Sequence, residues 1–94
     1  MKQRIPTFSD IVFKPHGAVE GGVQGKIKLP NDVTVSIVGG NTLYGDGVDT
    51  FEVGAWWGDN GKWIPLGEYD DVKGYQDRHD IDMIINELSK LTPQ

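Results

Sequence analysis

From Val23 to Ile37 apolar and polar residues alternate, and this limits the possible folds more than any other feature. Val23, Ile27 and Leu29 fall on one face, with Gly25 among them, while Gln24, Lys26 and Lys28 fall on the other. That is the period-two pattern of a half-buried strand. Pro30-Asn31-Asp32 is turn chemistry. Val33, Val35 and Ile37 then resume the alternation opposite Thr34 and Ser36. Residues 22–39 therefore read as an antiparallel hairpin.

The rest of the chain extends this sheet and then leaves it. Ile11-Val12-Phe13 is a short strand candidate that Pro15 should end, followed by a loop over 16–22. Residues 39–47 hold four glycines and read as a loop. Thr50 to Trp57 is the next strand, with Phe51, Val53, Ala55 and Trp57 on one face. Asn60-Gly61 predicts a two-residue hairpin turn, and Lys62 to Leu66 returns as the partner strand. After Gly67 the period changes. Asp77 is a helix-cap candidate with Asp80 three residues on. Ile81, Ile84, Ile85, Leu88 and Leu91 then form one apolar stripe at helical spacing, and Pro93 ends it. The expected fold is α+β: an antiparallel meander of four to five strands with one C-terminal helix on one face. One helix covers one face only, so the other must be polar or must meet something.

Ninety-four residues make a single domain with one modest core. The chain has no cysteine, which removes disulfides, thiolate metal sites and thiol nucleophiles. No signal peptide follows Met1-Lys2-Gln3-Arg4, and no run approaches the roughly 20 apolar residues of a membrane helix. A cytoplasmic protein with no membrane partner is the expectation. The net charge is −5. Residues 1–67 carry seven acids and six bases, and residues 68–94 carry seven acids and three bases. Direct nucleic-acid binding is disfavoured by that balance. A protein partner with a basic surface suits the acidic segment, in which Asp70, Asp71 and Asp80 are candidate contacts. Charge that merely keeps a small protein soluble is the plainer reading.

Catalytic chemistry is weakly signalled. His16 and His79 are far apart in sequence, and neither has a neighbouring Ser or Cys to activate. His79 lies in Asp77-Arg78-His79-Asp80-Ile81-Asp82, whose acids are explained by the dipole of a starting helix without a metal. No metal and no cofactor are expected. The glycine loop lacks the Gly-Lys-Ser/Thr ending of a phosphate-binding loop and lies between strands. It reads as a hairpin connection, or as a partner-binding loop with Tyr44 at its tip. A small ligand-binding domain or enzyme using this loop with Asp46 and Asp49 is the alternative. The adjacent acids Asp70-Asp71 do not converge on one bond and read as a solvated turn.

The most informative residues are Trp56, Trp57 and Trp63. An Asn60-Gly61 turn places Gly58 opposite Trp63, and an Asp59-Asn60 turn places Trp56 opposite Trp63. Both registers put Trp56 and Trp63 on one face, beside Glu52, and Trp57 on the other with the core set. Two outward tryptophans on a polar face suggest a binding surface or a two-fold homodimer. The competing reading is that the 39–49 loop or the N-terminal segment folds over them.

Phe13-Lys14-Pro15-His16, Gly22-Val23-Gln24-Gly25, Val33-Thr34-Val35-Ser36-Ile37-Val38, Phe51-Glu52-Val53-Gly54 and Asp70-Asp71-Val72-Lys73-Gly74-Tyr75 before a short terminal helix carry a resemblance. In these stretches the chain resembles a set of small, mostly uncharacterised proteins of tailed bacteriophages. The resemblance covers residues 11–91 and departs at the tryptophan-rich hairpin. It implies an accessory protein of the host bacterial cytoplasm that inhibits or modulates a host or defence protein without being an enzyme. A minor structural virion role is the weaker implication. No catalytic residue is carried over by it.

Overall fold

The structure is a computed structural model that describes residues 5–41, 43, 45–58, 60–66 and 72–92. Its strands are β1 (Lys14–Pro15), β2 (Val23–Lys28), β3 (Val33–Gly39), β4 (Phe51–Trp57), β5 (Trp63–Ile64) and β6 (Val72–Gln76), and one helix, α1 (Arg78–Leu88), closes the fold. A 3₁₀ turn, Phe8–Asp10, precedes β1. The strands β1 to β5 lie in sequence order and are antiparallel throughout, as a meander, and β6 also pairs with β4. The α+β architecture with one helix across one face is the one the alternating and helical patterns call for.

The alternation sets the register. Ile27 pairs with Val35 and Val35 with Ala55, and Ile37 pairs with Val53. Val33, Val35, Ile37, Val53 and Ala55 are thereby stacked on one face with no exposed surface. Ile81, Ile85 and Leu88 of α1 complete this core. Ile84 is half-buried at its rim, and Leu91 lies beyond the helix and is exposed. The helix starts where Asp77 and Asp80 cap each other. Asp80 N–H donates to Asp77 Oδ1 at 2.8 Å, and Asp77 N–H donates to Asp80 Oδ2 at 3.1 Å. Its other end is tied to the β2–β3 turn, where Asn31 Nδ2 donates to the carbonyls of Leu88 and Leu91, both at 2.9 Å.

The N-terminal segment joins the same side. Phe8 and Phe13 each place their ring 5.3 Å from Phe51, and Phe8 N–H donates to Asp82 Oδ1 at 2.7 Å. Ile11 is buried beneath Gly25, where a Cβ would collide with its side chain. The ladder in this region starts at Lys14 and includes Pro15, so the strand expected over 11–13 is realised over 14–15 instead. Proline is tolerated there because β1 is an edge strand.

Two departures concern the far edge of the sheet. The 57–62 hairpin closes by a four-residue turn, Gly58 to Gly61, in which Asp59 lies outside the described residues. Trp57 N–H donates to Lys62 O at 2.9 Å and Gly61 N–H to Trp57 O at 2.7 Å. Gly61 takes a positive φ of 69°, and Asn60 Oδ1 accepts from Lys62 N–H. Asn60-Gly61 is thus the second half of a longer turn. The strand after it is only two residues long, because Pro65 has no N–H to continue the ladder.

The chain then returns to the same edge. Ala55 pairs with Ile64, and its neighbour Gly54 pairs with Val72. β5 and β6 therefore lie along the same edge of β4 as two pieces of one interrupted strand. β6 adds a strand beyond those the alternation predicts. It carries a bulge opposite Glu52, between the Val53–Lys73 and Phe51–Gln76 pairs, where Tyr75 adopts a φ of 56°.

Candidate functional site

The face of the sheet turned away from α1 is built in rows by the register. One row crosses the sheet as Lys28, Thr34, Trp56 and Trp63. The next is Lys26, Ser36, Gly54 and Val72, and the third is Lys14, Gln24, Val38 and Glu52. Lysines thus line the β1–β2 side, hydroxyls the middle and indoles the β4–β5 side. The register realised is the one that sets Trp56 directly opposite Trp63.

The two indoles pack with centroids 5.0 Å apart and planes at 56°, the tilted geometry that aromatic quadrupoles favour. Trp63 also lies across β4. A Cβ on Gly54 would sit 2.7 Å from Trp63 Cζ3 and 3.3 Å from Val72 Cγ1, so the glycine provides the floor for the ring. Trp56 is half-buried, with Lys26 Nζ 5.7 Å from its centroid, within cation–π range. Trp63 keeps 47% of its surface exposed. The N-terminal segment packs on the opposite side of the sheet, against Phe51.

Of the other candidate contacts, the one within the described residues has an internal task. Asp80 closes the helix cap. Each acid of the described part of the acidic segment has a partner within the chain: Asp77 with Asp80, Asp82 with Phe8, and Glu87 with Lys90 at 3.5 Å. The amide hydrogen bond from Asp80 holds the Asp77 carboxyl below its ordinary range, helped by the nearby His79 charge. Tyr44, Asp70 and Asp71 lie outside the described residues.

The glycine loop is also organised by its own contacts. Asp46 Oδ1 accepts the N–H groups of Val48, Asp49 and Thr50 at 2.9, 2.9 and 3.0 Å. These bonds, that from Thr50 foremost, lower the Asp46 carboxyl from 3.8 to about 2. A Cβ on Gly39 would collide with the backbone of Gly47, so the glycines let the loop fold back on the end of β3. This accounts for their number without a phosphate. A concavity of about 440 Å³ lies between α1 and the β5–β6 edge, with Ile64, Leu66, Lys73, Met83 and Ile84 among its walls.

Lys26 and Lys28 share this face with the tryptophans, as strands paired in sequence order require, while Gly54 beneath Trp63 and Lys14 beside Gln24 are features of the face that local alternation does not reveal. A glycine inside a strand is itself a sign of close approach, and the lysines become a group only once β1, β2 and β4 are in register. Searches against protein-family models, curated proteins and solved structures find no match to this chain. No helix among the described residues is long and apolar enough to cross a membrane.

Proposed function

We propose that the chain is a non-enzymatic binding protein that docks a protein partner on the outer face of its sheet, centred on Trp56 and Trp63. The observation that carries this reading is Trp63. Its indole is half exposed, yet it is held in one place by Trp56 beside it and Gly54 beneath it. A preorganised aromatic surface loses little side-chain entropy on binding, and tryptophan is the residue type most enriched among interface hot spots. The resemblance to small phage proteins extends the proposal to a role in the bacterial cytoplasm, inhibiting or modulating a host or defence protein.

The glycine loop is a weaker alternative centre, because the Asp46 carboxylate already serves three backbone N–H groups. The test is affinity capture from bacterial lysate with the wild-type chain and with Trp63→Ala. A partner bound through this face is retained by the wild type and weakened by more than ~2 kcal/mol in the variant. Isothermal titration of the recovered partner measures that difference. Equal affinity for a folded Trp63→Ala chain would move the binding surface elsewhere. Sedimentation of the two proteins alone separates an outside partner from a second copy, since a dimer through this face dissociates in the variant.

A further inference from the structure

The outer face has a charge character opposite to that of the whole chain. The chain is −5. This face presents Lys14, Lys26 and Lys28 against one acid within the strands, Glu52. Lys28 is neutralised by Asp32 at 2.9 Å, in the adjoining turn. Lys14 and Lys26 are exposed and form no ion pair among the described residues. They flank a shallow hollow of about 350 Å³, whose other walls include Val12 and Gln24. Val12 is 73% exposed there. The face therefore has two poles, an indole pole on β4–β5 and an ammonium-lined hollow on β1–β2. Thr34 and Ser36 lie between them.

We propose that this face binds an acidic protein segment, with an apolar or aromatic side chain against Trp63 and one or more carboxylates over Lys26 and Lys14. The proposal rests on the outer face being the docking surface and names the chemistry of what docks there. The spacing follows from the sheet. The backbones of Trp63 on β5 and Lys26 on β2 are three strand spacings apart, about 14 Å, and the Lys26 ammonium leans back towards Trp56. An extended segment crossing the strands covers that distance in about four residues.

Charge decides between the possible occupants. A basic partner would set its cations against unpaired ammonium groups. A nucleic acid brings a phosphate with every nucleotide, so its repulsion by a chain of −5 grows with length, and two lysines without a carboxylate partner among the described residues release few counterions in return. A segment with two carboxylates meets the lysines locally and adds little long-range repulsion. This reverses, for this face, the basic partner that the acidic segment suggested. The described acids of that segment are engaged in holding α1 and the N-terminal segment in place.

The test uses the full ¹⁵N-labelled chain and three blocked peptides of equal length. Each has a phenylalanine anchor followed four residues later by Asp-Glu, by Asn-Gln or by Lys-Lys. An oligothymidylate of similar extent is the fourth probe. At low salt the Asp-Glu peptide should shift the Trp63 indole N–H and the Lys26 and Ser36 amides, with a Kd about tenfold below that of the Lys-Lys peptide. The Asn-Gln peptide should fall between them. Salt should erase the difference, and Lys14→Glu/Lys26→Glu should invert the order. Equal or tighter binding of the Lys-Lys peptide at Trp63 would overturn the acidic partner and leave the docking face standing. Tighter binding of the oligothymidylate would overturn it in favour of nucleic acid. Shifts confined to α1, or none from any probe at millimolar concentration, would overturn both the acidic partner and the docking face.

Discussion

Replacing Gly54 with alanine tests whether Trp63 is held by the geometry described. The added methyl carbon would lie 2.7 Å from Trp63 Cζ3, well inside van der Waals contact, so the ring must lift. Trp63 is 47% exposed, so it buries about half of the ~250 Å² that an indole can bury. Roughly 120 Å² at ~25 cal/mol per Å² gives about 3 kcal/mol as an upper bound on what the docked ring contributes. Alanine in place of glycine restricts the unfolded chain and returns ~0.5–1 kcal/mol. The expected net loss is therefore up to about 2 kcal/mol. In a Trp63→Ala background the same change should be neutral or stabilising, because there is no ring to displace. Urea unfolding of the four proteins forms a double-mutant cycle, and the circular-dichroism couplet of the paired indoles reports whether Trp56 and Trp63 remain in contact. A Gly54→Ala chain with wild-type stability and an intact couplet would refute the idea that this glycine positions Trp63.

Two further outcomes are expected. Leu88→Ala should lower stability by ~2–5 kcal/mol in urea unfolding, because Leu88 is 5% exposed in the helix–sheet core; a loss under about 1 kcal/mol would mean that the helix adds little to the core. Asp46, lowered from 3.8 to about 2 in the folded chain, stabilises its loop above its unfolded pKa, and that support fades as pH falls from about 4 through about 2. The protection of the Val48, Asp49 and Thr50 amides against exchange, referred to the intrinsic rate at each pH, should fall across that window in the wild type and lose this dependence in Asp46→Asn, while the same protection profile in both would exclude the carboxylate as the cause.

The parts of the fold that could be read from the sequence are those governed by local periodicity. The 22–39 hairpin, the core face of Phe51, Val53, Ala55 and Trp57, and the α1 stripe with its Asp77–Asp80 cap each follow from neighbours within a few residues. The far edge was harder for a physical reason. Val72 to Gln76 has a glycine at its centre and a bulge at Tyr75, so its alternation is broken. It belongs to the sheet only because β4 has an edge left free below Ile64. The length of the hairpin turn is hard to read for a related reason. Asn60-Gly61 suits a two-residue turn on local grounds, and the Trp56–Trp63 register is also that of an Asp59-Asn60 turn, but the ladder stops at Trp57 and Lys62 and leaves a four-residue turn. The same division holds at the site. The shared face of the two tryptophans is a matter of parity along two strands. The lysine hollow and the glycine floor depend on pairing between residues far apart in sequence.

The bareness of the outer face follows from how this chain distributes its few covering elements. Beyond the strands, the described chain has two pieces with apolar surface to bury, the N-terminal segment and α1. Both are drawn to the same side. The helix stripe meets the face where Val33, Val35 and Ile37 project. Phe8 and Phe13 reach Phe51 on that face, and Asp82 fixes the segment to the helix by accepting from Phe8 N–H. A core shared by both pieces is larger than either could form alone, which matters for a domain of this size. Among the described residues nothing comparable remains for the opposite face, so its rows carry mostly Lys, Gln, Thr, Ser and Glu, as solubility requires, with Val38 and Val72 as small aliphatic exceptions. Trp56 and Trp63 break that rule. Folding accounts for part of their burial through Gly54, Val72 and each other, and leaves half of the Trp63 ring in water. The stability of the domain gives no reason for that exposed half, and the proposed docking on the outer face would supply one.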